Sequence, residues 1–164
     1  MGCVKYILIC ILFAMQLFVG IPDFLRGGED YWLRAATYPF FHASWPHFII
    51  NSIAIWGLYG RSCKPCRDLL FPYLISLLVY PLSFRPVIGF SNVLYAVIGM
   101  RTPPLSSPWW KSRNVLIFLA VTLLMAALPQ FSATTHIAAF LLGIAGAHIS
   151  RHLQSLNKDA RRYY

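Results

Sequence analysis

The stretch HASWPHFIINSIAIWGLYGR, residues 42–61, decides how this chain is built. It carries no formal charge from Pro46 to Gly60, and Arg61 closes it, the pattern of a membrane segment with a cationic anchor at its end. Outward from it lie five more apolar runs, 4–21, 69–84, 91–101, 114–128 and 134–150. Composition agrees: 58% of the residues are apolar and 12% charged, with a mean hydropathy of +0.59. A soluble domain of this length carries about 40 charged side chains, whereas this chain has 14 basic and 5 acidic ones. The net charge of +9 does not mark a nucleic-acid binder, because the cations punctuate apolar runs instead of clustering on a soluble face.

A bilayer core of about 30 Å takes about 20 helical residues. Several runs are shorter than that, which implies broken or half-length segments, or a face that opens to water inside the membrane. The first run lacks a small-residue cleavage site before Pro22, so it is read as a span and not as a signal peptide. Cations follow the second run at Arg61, Lys64 and Arg67, the fourth at Arg101, Lys111 and Arg113, and the sixth at Arg151, Lys158, Arg161 and Arg162. The positive-inside rule then places both termini in the cytoplasm. The expected architecture is an all-α membrane protein, a six-transmembrane-helix bundle over residues 1–152 with a basic cytoplasmic tail at 153–164.

Two features of the connections bear on chemistry of their own. Cys63-Lys64-Pro65-Cys66 is a C-x-x-C, but it has no preceding strand and no second ligand pair, so two reduced loop cysteines are the simpler reading. Cys3 and Cys10 read as tail and lipid-facing residues. The first connection, Pro22 to Trp45, interleaves Phe24, Tyr31, Trp32, Tyr38, Phe40, Phe41 and Trp45 with Arg26, Glu29, Asp30 and Arg34. That mixture suits a segment lying in the outer membrane interface.

The chemistry lies in polar residues within apolar runs. His42, His47 and Asn51 stand at the head of the second run, Ser91 opens the fourth, and His136 is near the head of the sixth. Counted up from the cations that close each run, at about 1.5 Å per residue, Asn51 and Ser91 lie about 15 Å deep and His136 about 22 Å. Polar groups in hydrocarbon are costly and face a cavity or one another. A hydroxyl, two imidazoles and a carboxamide at similar depth supply a nucleophile, a base and oxyanion donors. Taken singly, Ser91 is a helix N-cap, Asn51 an interhelical hydrogen bond and each His a packing residue.

Spacing brings the groups together. Ser91, Tyr95 and Gly99 share one helix face, and His136, Ala139 and Gly143 share another that Ala147 extends. Small residues allow membrane helices to approach closely, so the fourth and sixth runs can pack with His136 against Ser91 and Tyr95. The fourth run is too short to span alone, so the chain descends to Ser91 as irregular backbone through Pro86, Val87, Ile88, Gly89 and Phe90.

These residues resemble a known family. His42 to Asn51 looks like the H-x4-H-x3-N signature of rhomboid intramembrane serine proteases. Gly89-Phe90-Ser91 with Tyr95 and Gly99 resembles their G-x-S segment, and His136 to Gly143 resembles their catalytic-histidine helix. Tyr31-Trp32-Leu33-Arg34 is similar to their W-R element with Leu inserted. The resemblance implies that Ser91 is the nucleophile and His136 the general base, a dyad without an acidic third member. Asn51, His47 and the Ser91 backbone N–H would form the oxyanion hole, Tyr95 would stack on His136, Gly89 would give a strained approach to Ser91, and His42 matches the first His of the signature. Gly99, Ala139 and Gly143 would pack the helices. The substrates would be transmembrane proteins cut in or near the outer half of a span, in a multi-pass protein of the cell membrane, and no metal or other cofactor is implied.

Two positions depart from the family pattern: Asn92 stands where a small residue is usual, and Ala139 where Gly is common. At about 100° per residue, the Asn92 side chain should point away from His136, so Asn92→Gly is expected to leave activity within about tenfold. Two alternatives stay open at this point. One is a catalytically silent rhomboid-like protein that binds transmembrane clients, and the other is a bis-His haem protein using His47, His136 or His148.

Overall fold

The computed structural model of the 164-residue chain describes residues 4–23, 25, 30–59, 66–83, 87–103, 108, 111–125 and 132–160. Of the residues singled out above, Cys3, Phe24, Arg26, Glu29, Gly60, Arg61, Cys63, Lys64, Pro65, Pro86, Arg161 and Arg162 lie outside the described residues, as does the end of the run at 114–128. Among the described residues all regular structure is helical.

Helix α1, Val4–Ala14, runs on as a π-helical turn, Met15–Val19, and stops at Gly20, whose φ of 65° a side chain would disfavour. The first connection contains a short helix, α2, Tyr31–Thr37, and a 3₁₀ turn, Tyr38–Phe40. Helix α3 is Trp45–Leu58, and its start is written locally. Ser44 is extended and its hydroxyl accepts the His47 N–H at 3.4 Å, while Pro46 occupies the first turn. Helix α4, Phe71–Val79, lies between a π turn, Cys66–Leu70, and a 3₁₀ turn, Tyr80–Leu82. Then follow α5, Ser91–Met100, α6, Arg113–Met125, and α7, Ala133–Ala160. Helix α7 continues into the segment read as a tail, because no Gly or Pro interrupts the chain after Gly146.

Helix α5 is the axis of the bundle, with every residue from Asn92 to Gly99 buried. On one side α1 and α3 close over it through Leu12, Ile55 and Val93; on the other α4, α6 and α7 do so through Val79, Phe118, Ala139 and Phe140. Its most extensive partner is α7. A Cβ on Gly99 would collide with the Phe140 carbonyl, and one on Gly143 with the Ala96 carbonyl, so the two backbones touch at both glycines. Ala139 is fully buried in the same interface, which therefore accepts the one methyl by which it departs from glycine. Gly99→Val is expected to destabilise the protein by about 1–3 kcal/mol or more, since backbone cannot yield as a side chain does. Gly146 is the control, because there a Cβ meets only the movable Phe71 ring. Melting of the two variants in detergent checks this: Gly99→Val should fall well below Gly146→Ala.

This contact also sets the register. The two helices run in the same direction, and Gly143 lies against the turn between Ala96 and Met100. Carried one or two turns back along both helices, the same offset sets His136 level with Ser91, 45 residues earlier in the chain. The depths counted from the closing cations are corrected accordingly: Arg151 lies more than a turn beyond the level of Arg101. Its long side chain reaches back to the Thr102 carbonyl at 2.9 Å.

Cations gather at one end of the bundle. Arg101 donates to the Leu58 carbonyl at the end of α3, and Lys5 sits 4.0 Å from the centre of the Trp56 ring. The lateral surface is apolar. Ile7 and Phe13 of α1, Ile53 and Trp56 of α3, Leu78 of α4, Leu119 and Leu123 of α6, and Leu141 and Ile149 of α7 all face outward. Among the described residues one stretch, Ala133–Leu156 of α7, is long and apolar enough to cross a bilayer alone; Val4–Val19, Asp68–Leu82 and Ser91–Met100 are apolar but shorter.

Candidate active site

At the end of the bundle opposite Lys5 and Arg101, the heads of α3, α5 and α7 meet. Ser91 is the first residue of α5, and its Oγ lies 2.7 Å from Nε2 of His136 in the first turn of α7. The other ring nitrogen, Nδ1, is hydrogen-bonded to the Ser132 carbonyl just before α7. A carbonyl can only accept, so Nδ1 carries the proton and Nε2 presents its lone pair to the Ser91 hydroxyl. The same carbonyl takes the Thr135 hydroxyl at 3.1 Å and the His136 backbone N–H at 3.3 Å. The end of α7 is thus folded back on itself in a way that fixes the imidazole.

Tyr95, one turn below Ser91, flanks His136 with ring centres 4.6 Å apart. The expected stacking is corrected to an edge-on contact, tilted at 67°. The tilt follows from the other partners of Tyr95: its hydroxyl accepts from Thr122 of α6 at 3.2 Å, and it meets the Phe118 ring at 83°.

Helix α3 supplies the opposite wall. His47 and Asn51 are one turn apart on the face that looks toward Gly89. Gly89 has φ +127°, and a Cβ there would stand 2.5 Å from Cε1 and 2.8 Å from Nε2 of His47, and 3.4 Å from Nδ2 of Asn51. Glycine is required twice over, by the backbone angle and by the approach of the imidazole. Asn51 is buried and its Nδ2 donor has no hydrogen-bond partner among the described residues. A cavity of about 630 Å³ connects these groups, lined by His47, Asn51, Ser91, Tyr95 and His136 at its head. It continues along α3, α5 and α6 past Ala54, Leu58, Ile98 and Ile117 to Arg113.

The Rhomboid domain family model matches residues 29–152, well over half of the chain. The chain belongs to the rhomboid family. It is accordingly an integral membrane protein, and its outward apolar side chains face lipid. No curated protein matches the chain at a significant level.

Within this rhomboid, Ser91, His136, His47, Asn51 and Tyr95 line one cavity head, with Gly89 packed behind it against His47 and Asn51; of the residues expected at the site, His42 stands apart. That residue is fully buried behind it, with its ring against His47 at 5.4 Å and Phe48 at 5.5 Å. Burial first, and the His47 ring second, push the His42 imidazole down to about 3, so it packs as a neutral ring. The haem alternative finds no support, since both nitrogens of His136 are engaged and His148 lies exposed farther down α7. Two contributors have no counterpart in the sequence reading: the Ser132 carbonyl and Thr122. Thr122 left a faint signal as a hydroxyl within an apolar run. Ser132 left none, because what it contributes is backbone.

Proposed function

We propose that this rhomboid is an intramembrane serine endopeptidase that hydrolyses peptide bonds in or near the outer half of transmembrane segments. The observation that carries the reading is the Ser91 Oγ to His136 Nε2 bond of 2.7 Å, with the other ring nitrogen held by a carbonyl. His136 takes the Ser91 proton as Oγ attacks the scissile carbonyl, and returns it to the leaving amine as the C–N bond breaks. The acyl group left on Ser91 is then released by water, with His136 again the base. The negative oxygen of each tetrahedral intermediate faces Asn51, His47 and the Ser91 N–H. The unpartnered Nδ2 of Asn51 supports that role, because a buried donor without a partner is one poised for a transient acceptor.

The topology proposed is six spans with both termini in the cytoplasm. Lys5, Arg101 and Arg151 at one end of the bundle support it, as does the placing of the polar site at the other. Substrates are then single-span membrane proteins that enter the cavity from lipid. An intact helix shields its carbonyls, so the substrate must unwind locally, which favours Gly, Ala, Ser or Pro in its upper half. A small residue is expected immediately before the scissile bond. Incubating the purified protein with a model single-span substrate and sequencing the products by mass spectrometry tests this. Cuts should map to the outer half of the span and vanish in Ser91→Ala, whereas cuts in the cytoplasmic half would overturn the topology. Absence of both cleavage and labelling by a serine-directed fluorophosphonate would leave a silent, client-binding rhomboid as the reading.

A further inference from the structure

The backbone around Ser91 is gripped from both sides by one residue of the first connection. Tyr38 is fully buried, and its carbonyl accepts the Gly89 N–H at 3.0 Å, two residues before the nucleophile. Its hydroxyl accepts Nδ2 of Asn92 at 3.0 Å, one residue after the nucleophile. The same hydroxyl donates to the Ser76 carbonyl of α4 at 3.1 Å, and the ring stacks on Tyr80 with centres 5.0 Å apart. Burial pushes the Tyr38 phenol up to about 12, so it stays a donor in any workable buffer.

Packing alone gives no account of Asn92. The side chain is fully buried, yet its Oδ1 has no partner among the described residues. An unpaired buried oxygen costs stability that a small apolar residue would not. Asn92 points away from His136, as its position on α5 requires, and so contributes nothing directly to the dyad. Among the described residues its one side-chain hydrogen bond runs 54 residues back along the chain, to Tyr38.

We infer that Tyr38 and Asn92 form a clasp that positions the Gly89–Ser91 backbone, so that the Ser91 N–H and the Gly89 turn stay aligned with His47 and Asn51. Both are positioning residues, since neither lines the cavity. The inference deepens the protease reading and rests on it for its kinetic consequence, but not for its structural one. A loosened clasp lets the Ser91 N–H wander from the developing oxyanion, which weakens the transition state and leaves substrate binding, made elsewhere in the cavity, as it was.

The test compares Tyr38→Phe, Asn92→Ala and the double variant in the full-length protein in detergent. Cleavage of the model substrate is normalised to fluorophosphonate-labelled sites, and amide hydrogen exchange is followed over residues 87–95. Each single variant should lower kcat by about tenfold with KM within about twofold, and the double variant should be little worse, because the two residues act through one bond. Exchange over 87–95 should quicken by about tenfold, with that of α1 unchanged. A lower melting temperature with unaltered kcat per labelled site and unaltered exchange would reduce the pair to packing and overturn the inference. If the wild type neither cleaves nor labels, the protease reading fails and the exchange result alone decides the clasp. If Tyr38→Phe does not fold, Asn92→Ala carries both readouts.

Discussion

Ser91→Ala and His136→Ala are each expected to remove nearly all cleavage, a loss of about 10⁴-fold or more, and the double variant to be little worse than either. The reason is geometric. Among the described residues the base within reach of the Ser91 hydroxyl is Nε2 of His136, at 2.7 Å. Without the imidazole the hydroxyl remains protonated and a poor nucleophile; without the hydroxyl the imidazole has nothing to activate. Penalties within such a unit do not add. The comparison is made at equal folded protein, judged by melting temperature. Retained activity in Ser91→Ala would move the nucleophile elsewhere, while additive losses would mean that the two residues serve different steps.

Among the described residues the group that orients the imidazole of this dyad is the Ser132 carbonyl. The carbonyl fixes the tautomer as a carboxylate would, but with a partial rather than a full negative charge. It therefore adds less stabilisation to the imidazolium formed during attack. An ionised carboxylate at this depth would itself need a partner to offset its desolvation. A backbone acceptor at the start of a helix avoids that cost.

The parts of this site that were legible in the sequence are those whose side chains are out of place in an apolar run. Ser91, His136, Asn51 and His47 declared themselves because hydrocarbon does not tolerate them without a purpose. Gly99 and Gly143 did so by spacing. What escaped is what carries no such mark. The Ser132 carbonyl belongs to the backbone, which every residue has. Tyr38 sits among six other aromatics of the first connection, and nothing in the sequence singles out the one whose hydroxyl reaches Asn92. The pairing of His136 with Ser91 and Tyr95 is legible from spacing, but the depth of His136 is not, because an arginine is no fixed level: Arg151 reaches back to Thr102. Close-packed glycines are the better ruler, since a backbone contact has no slack.

Gly89→Ala should show how much of the activity depends on that lack of slack. The substitution asks alanine to hold φ near +127°, which L side chains rarely adopt, and puts its methyl 2.5 Å from the His47 ring. Two responses are open. The backbone can relax to a negative φ, which swings the turn before Ser91 and turns its N–H off the oxyanion; or His47 can be pushed back along α3, which removes a second donor. Either one forfeits at least one oxyanion contact, and removing one such donor typically costs about 10²–10³ in turnover. The expected loss in kcat is therefore about 10²-fold or greater, at least equal to that of Asn51→Ala measured beside it. His47→Ala supplies the discriminating comparison, because it clears the space that the methyl needs. If crowding by the imidazole dominates, the Gly89→Ala/His47→Ala double variant should be no slower than His47→Ala alone. If the backbone angle dominates, the double variant should remain about tenfold or more below His47→Ala. Near wild-type turnover in Gly89→Ala, at equal folded protein, would mean that the oxyanion is held by donors other than those around Gly89.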